Sequence, residues 1–366
     1  MFLDIRVVLF CVCGFCWTVC AQFGSVTISV GLDRDNNDEY YNTKGSCPQN
    51  TTCVPISACP VLQDLLDFSC FSSDKYFHRL NELTCGNANN EDYVCCPSCD
   101  CGKVYLAGTE QCGQSMVKGV DYKGIGTHPW VARIGFTHKE KGTVKFACTG
   151  SIIANHVVLT AAHCALAKND GYKLSTVVVG EWDIGRSPDC NDMFCAPPTQ
   201  AIKVDSVIVH PGYEQKIFRH DIALIVLKED IKFSVTAAPI CLNDNPEVIL
   251  NERASLVGWG QLSGQKNLVT RQQLLHVPLV PLELCENVFG KTVPINEAQI
   301  CAGGEAGRDA CSGFGGAPLL VMRDAQYVQI GIVSFGSEDC GQEGIPSVYT
   351  KIAHYYKWIV DTIPKI

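Results

Sequence analysis

The sequence has no excess of positive charge: 29 lysines and arginines face 38 aspartates and glutamates, a formal net charge of −9. That balance argues against nucleic acid or an anionic membrane as the main partner. Charged residues are scarce altogether, at 18% against 46% hydrophobic, which fits a folded core and excludes general disorder. Beyond residue 21 no apolar run is long enough to cross a bilayer. No internal repeat is present, and His163, His210 and His220 are too widely spaced for a local zinc motif.

Cysteine, in contrast, is abundant. Twenty-three of them are far too many for a reduced cytosolic chain. Asp4 and Arg6 are the only charges before Asp33, and Val7 to Ala21 is uncharged and mostly apolar. A short charged start, an apolar run and Val19-Cys20-Ala21 at its end predict a secretory signal peptide over residues 1–21. Its removal takes Cys11, Cys13, Cys16 and Cys20 and leaves an odd number of cysteines, so at least one is free, modified or paired between chains. The expected location is extracellular.

Residues 22–46, with Asp33, Asp35, Asp38 and Glu39, read as a flexible acidic arm. Residues 47–96 hold Cys47, Cys53, Cys59, Cys70, Cys85, Cys95 and Cys96. So short a stretch buries too little apolar surface to be stable alone, and disulfides make up the deficit. Asn50-Thr51-Thr52 is a glycosylation sequon, with Asn50 the acceptor. Residues 97–120 form a glycine-rich linker in which Lys103 and Lys118 are candidate cut sites for a protease. From Trp130 onward, short β-branched runs alternate with Gly, Pro and Asn: Ser151–Ile153, Val157–Thr160, Thr176–Val179, Val207–Val209, Ile222–Leu227. This pattern predicts an all-β sandwich or barrel, closed by a helix over Tyr355–Ile363.

Three strings carry chemistry: Leu159-Thr160-Ala161-Ala162-His163-Cys164, His220-Asp221-Ile222-Ala223-Leu224, and Asp309-Ala310-Cys311-Ser312-Gly313-Phe314-Gly315-Gly316-Ala317-Pro318. In this order they resemble the chymotrypsin-fold serine proteases. Pro129-Trp130, Gly258-Trp259-Gly260 and Val348-Tyr349-Thr350-Lys351 support the likeness independently. It implies an all-β fold of two six-stranded β-barrels with a C-terminal helix over residues 121–362. The Cys95-Cys96 pair makes residues 47–96 resemble an arthropod clip domain, so the fold is preceded by a small disulfide-rich module.

Such proteases need a serine to attack, a histidine to take its proton and a buried carboxylate to orient the histidine. His163 and Asp221 match the last two. The family string Gly-Asp-Ser-Gly-Gly-Pro reads Gly313-Phe314-Gly315-Gly316-Ala317-Pro318 here. Gly315 therefore stands at the nucleophile position with no oxygen. In a well-studied relative of this chemistry, losing the serine costs about 10⁶ in turnover. Phe314 stands where the family's aspartate receives the new N-terminal ammonium after activation, and a phenyl ring cannot pair with it. Met116 fills the place of the basic residue at the activation cut. Ser312 is rejected as a substitute nucleophile, being expected at the pocket rim. Asp309 matches the carboxylate that selects basic side chains and Gly336 a pocket wall. Ser347 replaces the other wall glycine and should crowd the pocket.

The resemblance also implies disulfides: Cys47 with Cys95, Cys53 with Cys85, Cys59 with Cys96, Cys112 with Cys241, Cys148 with Cys164, Cys190 with Cys195, Cys285 with Cys301 and Cys311 with Cys340. Cys70, Cys99 and Cys101 stay unassigned. No cofactor or metal is expected. Glu181, Asp183, Asp189 and Asp192 lie near a loop that binds calcium in some family members, but an acidic loop is ordinarily just solvated. The implied function is that of an inactive clip-domain homologue: a regulatory cofactor in an arthropod extracellular cascade, with prophenoloxidase or its activating protease as partner and self-association after cleavage. A surface-adhesion protein of the masquerade type is the alternative, and an active trypsin-like protease a further one.

Overall fold

The computed structural model describes residues 52–59, 84–88, 91–96, 112–115, 124–167, 171–190, 195–265, 269–324, 326–337 and 339–364. Asn50, Cys47, Cys70, Cys99, Cys101, Lys103, Met116, Lys118 and Asp192 lie outside them, as do the signal segment and acidic arm.

The cysteine-rich segment forms a small antiparallel sheet of β1 (Thr52–Pro55), β2 (Thr84–Ala88) and β3 (Glu91–Cys96), with β3 in the middle. Its buried centre is little more than Cys59, Val94 and Cys96. Cross-links Cys53–Cys85 and Cys59–Cys96 supply what that core cannot. Cys95 is also disulfide-bonded.

Two barrels follow. The first closes six strands in the order β4-β5-β6-β9-β8-β7: β4 (Val131–His138), β5 (Val144–Ala154), β6 (Val157–Thr160), β7 (Tyr172–Val179), β8 (Gln200–Val209) and β9 (Ala223–Leu227). The β-branched runs named from sequence are the inward halves of these strands, where Ile152, Val158, Val177 and Ile225 fill the barrel. The second ring joins β11 (Arg253–Gly258), β12 (Gln273–Val280), β13 (Gln299–Gly303), β14 (Pro318–Arg323), β15 (Gln326–Phe335) and β16 (Pro346–Lys351), closed by a β15–β16 pairing. A two-residue strand, β10 (Cys241–Leu242), runs parallel to β15 outside the ring, so this sheet has one strand more than the six expected.

Between the barrels lies a shared apolar layer of Trp130, Leu159, Ile222, Val257, Leu320 and Ile332. It is pinned by Ser151 Oγ donating to Gln329 Oε1 at 2.6 Å. Short helix α1 (Ala162–Ala165) carries His163. Helix α2 (Leu282–Phe289) was not anticipated. Helix α3 (Ile352–Thr362) begins three residues before the expected Tyr355, because Ile352 already packs into the shared layer. Disulfides Cys112–Cys241, Cys148–Cys164, Cys190–Cys195, Cys285–Cys301 and Cys311–Cys340 staple the barrels and their loops.

Candidate functional site

The three chemistry-bearing strings meet where the barrels face each other. His163 Nδ1 lies 2.8 Å from Asp221 Oδ2, and the His163 backbone amide donates to Asp221 Oδ1 at 2.8 Å. Ser334 Oγ on β15 donates to Asp221 Oδ2 at 2.6 Å, and Thr350 Oγ1 on β16 donates to the Asp221 carbonyl at 2.8 Å. Asp221 is buried and each carboxylate oxygen is engaged, so the imidazole's orientation is fixed from both barrels. Ser334 and Thr350 escaped the sequence reading because their role depends on a contact between distant strands.

The imidazole faces bare backbone. A Cβ built on Gly315 would stand 2.8 Å from His163 Nε2 and 3.4 Å from Cys164 Sγ. The ring thus leans into the space a serine side chain would need. Gly313 and Gly316 hold φ values of +97° and +77°, a conformation other residues resist. At Gly316 a Cβ would also strike Thr160 Oγ1 and the Thr149 carbonyl, at 2.2 and 2.5 Å. The turn over Gly313–Gly316 therefore presents bare backbone to the imidazole. Ser312, four residues of helix-free turn away from Gly316, is exposed.

Phe314 is 0% exposed and belongs to the core of the second barrel. Its ring packs against Gly258 and Gly260: a Cβ on Gly260 would come within 2.2 Å of it. The Gly-Trp-Gly string thus makes room for the ring, and apolar packing occupies the position where an ion pair was expected in the family.

In the specificity region Asp309 is 2% exposed. Ser347 Oγ donates to its two oxygens at 3.2 and 3.4 Å, and the Ala310 amide donates at 2.8 Å. Burial pushes the Asp309 carboxyl up, with these bonds opposing. Ser347 Oγ also sits 2.6 Å from where a Cβ on Gly336 would lie, so the hydroxyl fills the space between Gly336 and Asp309.

Cys148, His163 and Cys164 bring their sulfur and ring-nitrogen atoms within 4.8 Å of one another, a geometry that could suggest a metal. Both sulfurs are consumed in one disulfide, which leaves no thiolate to bind an ion. In the acidic loop, Asp189 accepts from the amides of Trp182 and Asp183, and Asp183 pairs with Arg271 at 3.2 Å. Burial raises the Glu181 carboxyl to about 6, and Arg133 lies 3.7 Å from it.

A histidine held by a buried carboxylate between two six-stranded barrels is the framework of one protease family, and the Trypsin family profile matches residues 117–359. The chain belongs to the clip-domain serine protease family. The CLIP domain-containing serine protease B4 of Anopheles gambiae is 34% identical over 85% of this chain and 89% of its own length. Phenoloxidase-activating factor 3 of Holotrichia diomphalia is 33% identical over 88% and 95%. Among solved structures, the Drosophila Grass clip serine protease of the Toll pathway superposes with a TM-score of 0.60. It is 26% identical and the match covers 85% of this chain and 94% of that one. This clip-domain family member holds His163 against Asp221 and carries Gly315 beside the ring.

Proposed function

We propose that this clip-domain family member is secreted and catalytically inactive, and that it acts as a binding cofactor in an extracellular protease cascade. The observation that carries the reading is the bare Gly315 against His163 Nε2. An acyl-transfer nucleophile must lie within about 3 Å of its base, and the position that should supply one has no side chain. Phe314 in the core and Ser347 over Asp309 support the same reading, since each occupies space that activation or substrate binding would need. Asp221 then serves to tie the barrels together, through Ser334 and Thr350 of the second barrel.

Prophenoloxidase activation is the proposed cascade, because relatives are named phenoloxidase-activating factors. The signal peptide of residues 1–21, the clip domain of residues 47–96, cleavage at Lys103 or Lys118 and glycosylation at Asn50 belong to the same proposal. Its test is reconstitution: prophenoloxidase, an active clip-domain protease and this protein, intact or linker-cleaved, with phenoloxidase activity as readout. The proposal expects activity to rise several-fold when this protein is present. Equal activity with and without it refutes the cofactor role, and retention on microbial surfaces instead favours adhesion.

A further inference from the structure

The outer face of the first barrel carries an unexplained concentration of cations around an apolar patch. Val144 and Phe146 on β5 are 46% and 38% exposed. They lie flat because β4 offers Gly135 beneath them: a Cβ there would come within 2.9 Å of the Phe146 ring and 3.3 Å of Val144. Arg133 stands 4.1 Å over the Phe146 ring. Thr137 is flanked in register by Val144 on one side and Lys173 on the other, and Lys203 lies opposite Thr176. Lys139 and Lys141 occupy the β4–β5 turn at its edge, whereas Lys145, opposite Phe136 in register, leaves β5 on the other side and sits with Nζ 4.5 Å over the Tyr172 ring.

Lys139, Lys141, Lys145, Lys173 and Lys203 are exposed, and among the described residues none pairs with a carboxylate. Among the described residues the nearby acids are fewer than the cations. Glu140 is in the same turn, Asp205 is further along β8, Glu229 and Asp230 follow Lys228 beside Lys203, and half-buried Glu181 faces Arg133. In a chain of net charge −9 this local excess is a reversal of sign. Cations spaced a strand or two apart, about 5–10 Å, around a flat apolar centre match a short extended peptide. Carboxylates would meet the lysines, and one or two apolar side chains would cover Val144 and Phe146.

We propose that this face docks an acidic peptide segment of a partner protein bearing an aromatic or aliphatic residue among its carboxylates. The apolar centre decides the chemical class: a polysaccharide polyanion would satisfy the lysines and leave Val144 and Phe146 uncovered. Each exposed ion pair is weak and screened by salt, so binding depends on several pairs together with the apolar contact. The inference stands apart from the state of the cleft, since no residue of this face belongs to it.

The test uses the whole secreted protein and a labelled twelve-residue probe rich in Glu and Asp with two phenylalanines. Fluorescence anisotropy should show saturable binding that weakens at least tenfold between about 0.05 and about 0.5 M salt. Lys173→Glu with Lys203→Glu should weaken it at least tenfold, and Val144→Ser with Phe146→Ser about fivefold or more. Lys357→Glu on the distant helix α3 should leave it unchanged. All five positions are exposed, and thermal unfolding of each variant confirms that it folds. Absence of saturable binding, or equal affinity in the double charge reversal, overturns the proposal. So does binding indifferent to loss of Val144 and Phe146 and matched by heparin, which would mark a general polyanion surface.

Discussion

Restoring the missing hydroxyl by Gly315→Ser should cost stability and fail to create a working protease. The new Cβ would stand 2.8 Å from His163 Nε2, closer than side-chain carbons approach a neighbour, and 3.4 Å from Cys164 Sγ. Neither neighbour yields easily. The imidazole is tied to Asp221 at 2.8 Å, and Cys164 is fully buried and cross-linked to Cys148. Overpacking of this kind costs about 1–3 kcal/mol, or roughly 2–12 °C in Tm for a domain of this size. Even after the ring gives way, Phe314 still fills the second-barrel core where the activation ion pair would form. Adding Phe314→Asp would bury a carboxylate against Gly258 and Gly260, with a further loss of several kcal/mol. The assay is differential scanning calorimetry beside hydrolysis of an arginine ester by linker-cleaved protein. The expected result is a lowered Tm and turnover at least about 10³-fold below an active relative. A Gly315→Ser protein as stable as the parent, with turnover near that of an active relative, would refute the reasoning.

Ser347→Gly should open the space between Gly336 and Asp309 and uncover the carboxylate. Benzamidine should then bind measurably by calorimetry where the parent shows nothing, and equal weak binding by both would deny that Ser347 is the plug. His128, buried, is held down to about 4 from 6.5 by loss of solvation. Between those values the unfolded chain binds a proton that the folded chain refuses. Stability therefore falls with pH from 6.5 towards 4, by about 1.4 kcal/mol per unit and about 3 in total. Glu181, raised by burial, pulls the other way over part of that range, so the acid limb of the parent should be compared with that of His128→Gln, which should be flatter. Parallel limbs would contradict the assignment. A cut at Lys118 should leave the N-terminal fragment attached through Cys112–Cys241, so two bands should appear only on reducing gels.

The barrels were legible because inward residues of a strand must be apolar and β-branched, and Val157–Thr160 and Thr176–Val179 announce this locally. The start of helix α3 was missed because Ile352 is recruited by packing between barrels, which no local pattern records. Helix α2 was missed for want of a cap signal, since Pro281 precedes it and no side chain caps it. At the site, residue identity announced what is absent at Gly315. It could not announce that His163 leans into the gap, or that Ser347 turns its hydroxyl onto Asp309. Both depend on distances between strands far apart in sequence. The lysines around Phe146 likewise read as scattered surface charge until the register of β4, β5, β7 and β8 gathers them.

The most direct test of the central claim is covalent. Linker-cleaved protein is incubated with a fluorophosphonate that labels any serine activated by a neighbouring base, and its intact mass is measured against an active clip-domain protease treated alike. The account predicts an unchanged mass, because Gly315, the residue against His163 Nε2, carries no hydroxyl. A stoichiometric adduct on any serine, lost in His163→Ala, would contradict it.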